Sequence, residues 1–142
     1  MNISQRVVPG LMAIFILAMV HFPSGPAAAQ PSDMAVESLV QEYLAALRSG
    51  DLQTIKTLLS AEAVARREDT LNDPQYSGFL TRRYHDATAT VLRQGMTESG
   101  VLFADIEIRL SPDEAVQERL LLEATEQGRL EVIDLVAVQG SE

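Results

Sequence analysis

The chain has 142 residues, 46% of them hydrophobic, with no Cys, no Trp and a formal charge of -9. That length suits one domain, and the absence of Cys excludes disulfides, thiolate catalysis, Cys-ligated metals and a lipid-modified N-terminal cysteine. The acidic balance argues against nucleic acid and against an anionic lipid surface, both of which call for clustered basic residues.

The first segment reads as an address. Arg6 and the terminal amine precede Leu11 to Val20, an unbroken apolar run that is short for a membrane span of ~20 residues. Pro23, Ser24, Gly25 and Pro26 then break any helix, and Ala27-Ala28-Ala29 follows. This is the order of a cleavable secretory signal, residues 1–29, with cleavage expected after Ala29. The expected product is one domain, residues 30–142, periplasmic or secreted and free of the membrane after cleavage.

Helical signals come next. Ser32 suits an N-cap and Asp33 a first turn. Val36, Leu39, Val40, Tyr43, Leu44 and Leu47 recur at helical spacing, and Gly50 suits a left-handed terminus. Asp51 caps a second, shorter helix with Leu52, Ile55, Leu58 and Leu59 on its apolar face. Ser60 to Thr70 reads either as a helix capped by Ser60 or as a short edge strand, with composition leaning to helix and with Arg66 and Arg67 solvated. Asp73 and Pro74 open a further helix, whose stripe is Tyr76, Phe79, Leu80 and Tyr84. Gly78 inside it costs about 1 kcal/mol against Ala and suggests close approach of another backbone.

Strand signals fill the rest. Ala87 to Gln94 is rich in Thr and Val. From Val101 to Leu110 the pattern has period two: Leu102, Ala104, Ile106, Ile108 and Leu110 share one face, and Asp105 and Glu107 lie solvated on the other. Ser111-Pro112-Asp113-Glu114 is a turn. Leu120, Leu122 and Ala124 share a face of the third strand, and Gln127-Gly128 turns the chain again. In the last strand, parity puts Asp134 with Leu130, Val132, Val136 and Val138. Four strands with short turns predict an antiparallel meander. Val101, Phe103, Leu121, Ile133 and Leu135 make the outer face partly apolar, and such a patch usually marks a contact. The expected partner is a second copy docked through Val101, Phe103, Ile133 and Leu135; the alternative is that loops or C-terminal residues cover them.

Helices followed by a meander give an α+β order. The stretch YLAALRSGDLQTIKTLLS, with its helix, short GD step and second helix, resembles the opening of the nuclear-transport-factor-two-like superfamily, the cystatin-like α+β cone. The closing RLEVIDLVAV is similar to the last strand of those domains. The resemblance spans about Ser32 to Val138, and the hairpin often found between the second and third helices is reduced here to Ser60–Thr70. It implies helices packed on a curved four-stranded antiparallel sheet with a pocket between. It leaves chemistry open, because the superfamily includes isomerases, dehydratases, cyclases, ligand-binding modules and association domains.

Few residues suggest chemistry. His85 is the only His beyond the leader, so a site built on several His is excluded, and its place at a helix end suits capping. No phosphate loop or nucleophile elbow appears, and no metal or cofactor is expected. Asp134 on an apolar face needs a partner. The candidates are an ion pair with Arg82 or Arg83, or solvation at the strand end. The third is the arrangement the resemblance implies, an acidic base with a Tyr. The pocket-lining candidates are Tyr43, Tyr76, Phe79, Tyr84, Ile106 and Asp134. The expected function is a non-catalytic accessory or binding module for a small apolar ligand. The alternative is an isomerase- or dehydratase-like enzyme using Asp134 with Tyr84 or another Tyr, and with His85 as a further acid–base candidate.

Overall fold

A computed structural model describes residues 32–138 of the chain. The leader and its cleavage position lie outside the described residues. Helix α1 spans Asp33–Ser49. Ser32 caps it, its hydroxyl accepting from the Ala35 amide at 3.2 Å, and Gly50 ends it at φ 65°. Helix α2, Leu52–Leu58, starts as expected on Asp51, whose carboxylate accepts from the Thr54 amide at 3.0 Å.

The ambiguous stretch is helical. Ser60 caps α3, Ala61–Arg66, by accepting from the Ala63 amide at 3.1 Å, and α4 follows at Glu68–Leu71. Strand character is confined to the step before it, where Leu59 makes a single parallel bridge to Val132. Helix α5 runs Tyr76–Tyr84, two residues later than Pro74 suggested. Asp73 still organises the entry, accepting from the Gln75 amide at 2.8 Å. The close approach expected at Gly78 occurs at Gly50 instead. A Cβ on Gly50 would lie 2.5 Å from the Ser77 carbonyl oxygen, whereas one on Gly78 would meet only the Arg82 guanidinium, at 3.3 Å.

The sheet is the expected antiparallel meander, in the order β1-β2-β3-β4. Its strands are Thr88–Met96, Leu102–Ser111, Glu114–Ala124 and Leu130–Ala137. Ala104, Ile106, Ile108, Leu120, Leu122 and Val132 are buried on its inner face, and Val36, Leu39, Val40, Leu44 and Leu47 of α1 join them in one core. Alternation on β2 therefore holds as read.

On β4 it fails. Leu122 pairs with Val132 but Leu121 pairs with Asp134, so Ile133 is an extra residue in a β-bulge. A bulge shifts every later residue to the opposite face. Asp134 thereby leaves the core face, in register with Leu121, at the open edge of the sheet. Leu135 pairs with Leu120 and packs against the core, and Val136 becomes exposed. The shared face expected for Leu130, Val132, Asp134, Val136 and Val138 is thus corrected: of the five, only Leu130 and Val132 are buried. A second register shift on β1 falls between Val91 and Arg93 and turns Leu92 outward.

Candidate functional site

An ionisable residue, Glu118, stands amid the apolar rows of the inner face. Val91 pairs with Ile106, and Ile106 with Glu118. Cross-strand partners share a face, so Glu118 points into the cone beside the fully buried Ile106 and one step from the fully buried Leu120. Its Oε2 is buried and has no hydrogen-bond partner among the described residues. Burial raises its pKa, and the positive charge of Arg67 pulls in the other direction.

Three tyrosines converge on the same region. Tyr43 is a buried residue of α1's apolar face, while Tyr76 and Tyr84 sit half-buried at the two ends of α5. The pKa of Tyr43 is raised well above 10, first by burial, then by the charges of Glu118, Tyr84 and Tyr76; Arg67 lowers it. The pKa of Tyr76 is raised for the same kinds of reason: burial first, then Tyr84 and Glu118. These groups therefore lie within electrostatic reach of one another. Phe79 stacks on Tyr76 with ring centroids 6.0 Å apart, but is 47% exposed and stands at the rim.

Asp134 sits apart from this cluster. Its carboxylate accepts from Arg67 at 3.0 Å, with Arg66 at 3.9 Å, so Arg82 and Arg83 are not its partners. Arg66 is exposed as expected, whereas Arg67 is half-buried rather than solvated. The Arg67 hydrogen bond is the chief reason the Asp134 pKa is lowered. Arg67 reaches Asp134 because α3, which it follows, runs beside β4, whereas α5 turns its last-turn cations to the far hairpin: Arg83 pairs with Glu114 at 3.3 Å. A half-buried carboxylate held ionised by Arg67 is poorly suited to take up a proton. His85 is at the surface, its Nδ1 beside the Arg82 carbonyl at 3.2 Å and its Nε2 beside Asp86 at 2.8 Å. It caps the end of α5.

The outer face also differs from expectation. Asp105 is 9% exposed rather than solvated. It accepts from Arg119 at 2.7 and 2.9 Å and from Arg93 at 3.0 and 3.2 Å. These bonds, Arg119's first, hold its pKa down. Both guanidinium groups also cover the Phe103 ring, Arg119 at 4.2 Å and Arg93 at 5.3 Å. Phe103 is consequently 9% exposed, and with Leu135 turned inward the four-residue apolar patch is not assembled as expected. Val101 and Ile133 remain half-buried.

Of the expected pocket-lining residues, Tyr43 and Ile106 are buried in the core and Tyr76 and Tyr84 pack half-buried against it; Glu118, the partner of Ile106 across the sheet, is not among them. Parity with Leu120 and Leu122 was the available signal, since residues two apart on a strand share a face. Among the described residues, no group of three or more His, Asp or Glu is placed to hold a metal ion, and no helix is long and apolar enough to cross a membrane. Clefts of about 570 and 590 Å³ flank α1, lined in part by Glu42 and Arg129 on one side and Asp33 and Gln94 on the other. Neither is lined by the tyrosines or Glu118.

No family model matches the chain, and no curated protein matches it. Among solved structures it is similar to an NTF2-like protein of unknown function from Shewanella baltica OS155. The TM-score is 0.52 at 12% sequence identity, and the match covers 77% of this chain and 94% of that one. With helices packed on one face of a four-stranded antiparallel meander, the domain has the nuclear-transport-factor-two-like α+β cone fold.

Proposed function

We propose that this domain is an exported, non-catalytic binding module that takes a small ligand inside the cone, against Glu118, Tyr43, Tyr76 and Tyr84. Export rests on the charged, apolar and small-residue order of residues 1–29. The observation that carries the binding reading is the buried Glu118 Oε2, which has no hydrogen-bond partner among the described residues. A buried carboxylate oxygen without a hydrogen bond costs about 1–3 kcal/mol or more, and a ligand that supplies a donor recovers it. The amphipathic tyrosines around it suit a site with an apolar body and polar contacts.

The chain offers its own probe. It has three Tyr and no Trp, so all of its tyrosine emission arises from these three side chains. Titrating metabolite-sized compounds against tyrosine emission is expected to give a saturable change for the ligand class that fits, together with a rise in Tm. A folded protein whose emission and Tm respond to none of them contradicts the reading.

One observation supports a second, enzymatic reading. Burial raises the Glu118 pKa toward the range of a general base, and tyrosines stand near it. In that reading Glu118 takes the role first assigned to Asp134, and turnover that disappears in Glu118→Gln would favour it.

A further inference from the structure

Away from the interior cluster, one surface cleft brings together two side chains that the fold leaves unused. We propose that the cleft between α5 and the β2–β3 hairpin binds a small aromatic carboxylate, its acid group on Arg82 and its ring against Phe79. This inference is independent of the interior binding reading.

Three observations carry it. First, Arg82 is the exception among the cations. Every other Arg or Lys side chain among the described residues is bonded or paired to a carboxylate, an amide oxygen or a backbone carbonyl. Arg82 alone has no such partner there, in a chain with 20 Asp and Glu. A guanidinium is a planar fork of N–H donors that matches a carboxylate. Second, Phe79 is 47% exposed, whereas the other described Phe and Tyr side chains are buried or half-buried. A ring left in water is apolar area that a ligand can cover. Stacking on Tyr76, with an interplanar angle of 14°, fixes its orientation. Third, the two meet. One turn apart on α5, they line a cleft of about 390 Å³ with Arg83, Leu110 and Glu114.

Gly78 now gains a purpose. A Cβ there would lie 3.3 Å from Arg82 Nη1, so the missing side chain gives the guanidinium room against α5. Arg83 turns to Glu114 at 3.3 Å and closes the hairpin side, which leaves Arg82 as the open fork. The lining thus carries two cations against one carboxylate and favours an anion locally. The overall charge of -9 acts weakly here, because salt screens it over about 8 Å. The volume is at the small end of ligand sites and suits a single ring with a short acid arm.

Charge and shape are separated by titrating the labelled protein with phenylacetate and with its neutral isostere, phenylacetamide, at constant ionic strength. Saturable chemical shifts are expected at Phe79, Arg82 and Leu110 and not at Tyr43 or Glu118. Phenylacetate is expected to bind about fivefold more tightly than the amide, the scale of an exposed guanidinium–carboxylate pair. Arg82→Gln should bring phenylacetate down to the affinity of the amide, and Phe79→Ala should weaken both compounds. Both side chains are exposed, so each variant should keep its fold. Arg109→Gln removes a cation already paired with Glu107 and should change neither affinity. Equal affinity for the two compounds, binding of neither, or equal weakening by Arg82→Gln and Arg109→Gln overturns the proposal. Shifts centred on Tyr43 and Glu118 overturn it too, and support the interior site instead.

Discussion

Asp105 and Glu118 occupy opposite faces of one sheet, and their surroundings push their pKa values in opposite directions. Asp105 has two guanidinium groups on its oxygens, Arg119 first, and its pKa falls. A carboxylate with a depressed folded pKa contributes stability above its ordinary range, and that stability is lost as pH drops through the folded value. Glu118 is desolvated, and its pKa rises. Ionising it works against folding, so its effect is a loss of stability as pH climbs from the ordinary glutamate value through the raised one. Asp105→Asn is therefore expected to cost about 1 kcal/mol at neutral pH, a modest figure because Arg93 and Arg119 are partly solvated. The difference from wild type should vanish as pH falls through the Asp105 pKa, which urea midpoints across the acid range will test. Neither role was readable from residue type alone. Asp105 reads as solvated because its long-range partners lie on two other strands, and only parity with Leu120 marks Glu118 as inward-facing.

Local chemistry was legible where it depends on a few neighbouring residues. Ser32, Asp51 and Ser60 cap the helices they were expected to cap. Gly50 takes the left-handed conformation that ends α1. Its second role appears only in three dimensions, because α5 crosses close enough for Ser77 Oγ to donate to the Gly50 carbonyl at 2.7 Å. Gly50→Ala should therefore cost about 2–4 kcal/mol, adding the left-handed penalty to a steric clash. Gly128 has φ 77° with nothing near a Cβ, so Gly128→Ala should cost only about 1–2 kcal/mol. Thermal unfolding of the pair separates strain from packing; equal losses would contradict the close approach of α5. The bulge at Ile133 was invisible to alternation, which assumes an unbroken ladder. That single extra residue carried Asp134 out of the cone and Leu135 into it.

At the scale of the whole molecule, the order of helices before strands and the apolar alternation on β2 were enough to place the layers. The candidate site was only partly legible. The helical stripes that carry the three tyrosines were readable, because stripe position is local. The carboxylate they accompany was not, because its importance depends on which polar group the folded chain leaves without a partner. Homodimerisation through the outer face remains a proposal of altered form, since any second copy there meets Arg93 and Arg119 over Phe103 rather than an open apolar patch. The inner face is where sequence, burial and the unpartnered oxygen converge. Chemical-shift mapping of the labelled protein, during titration with the compound that changes its tyrosine emission, tests this most directly. Saturable shifts are expected, centred on Tyr43, Tyr76, Tyr84, Ile106 and Glu118. Shifts confined to the clefts beside α1 or to the outer face around Phe103 would contradict it.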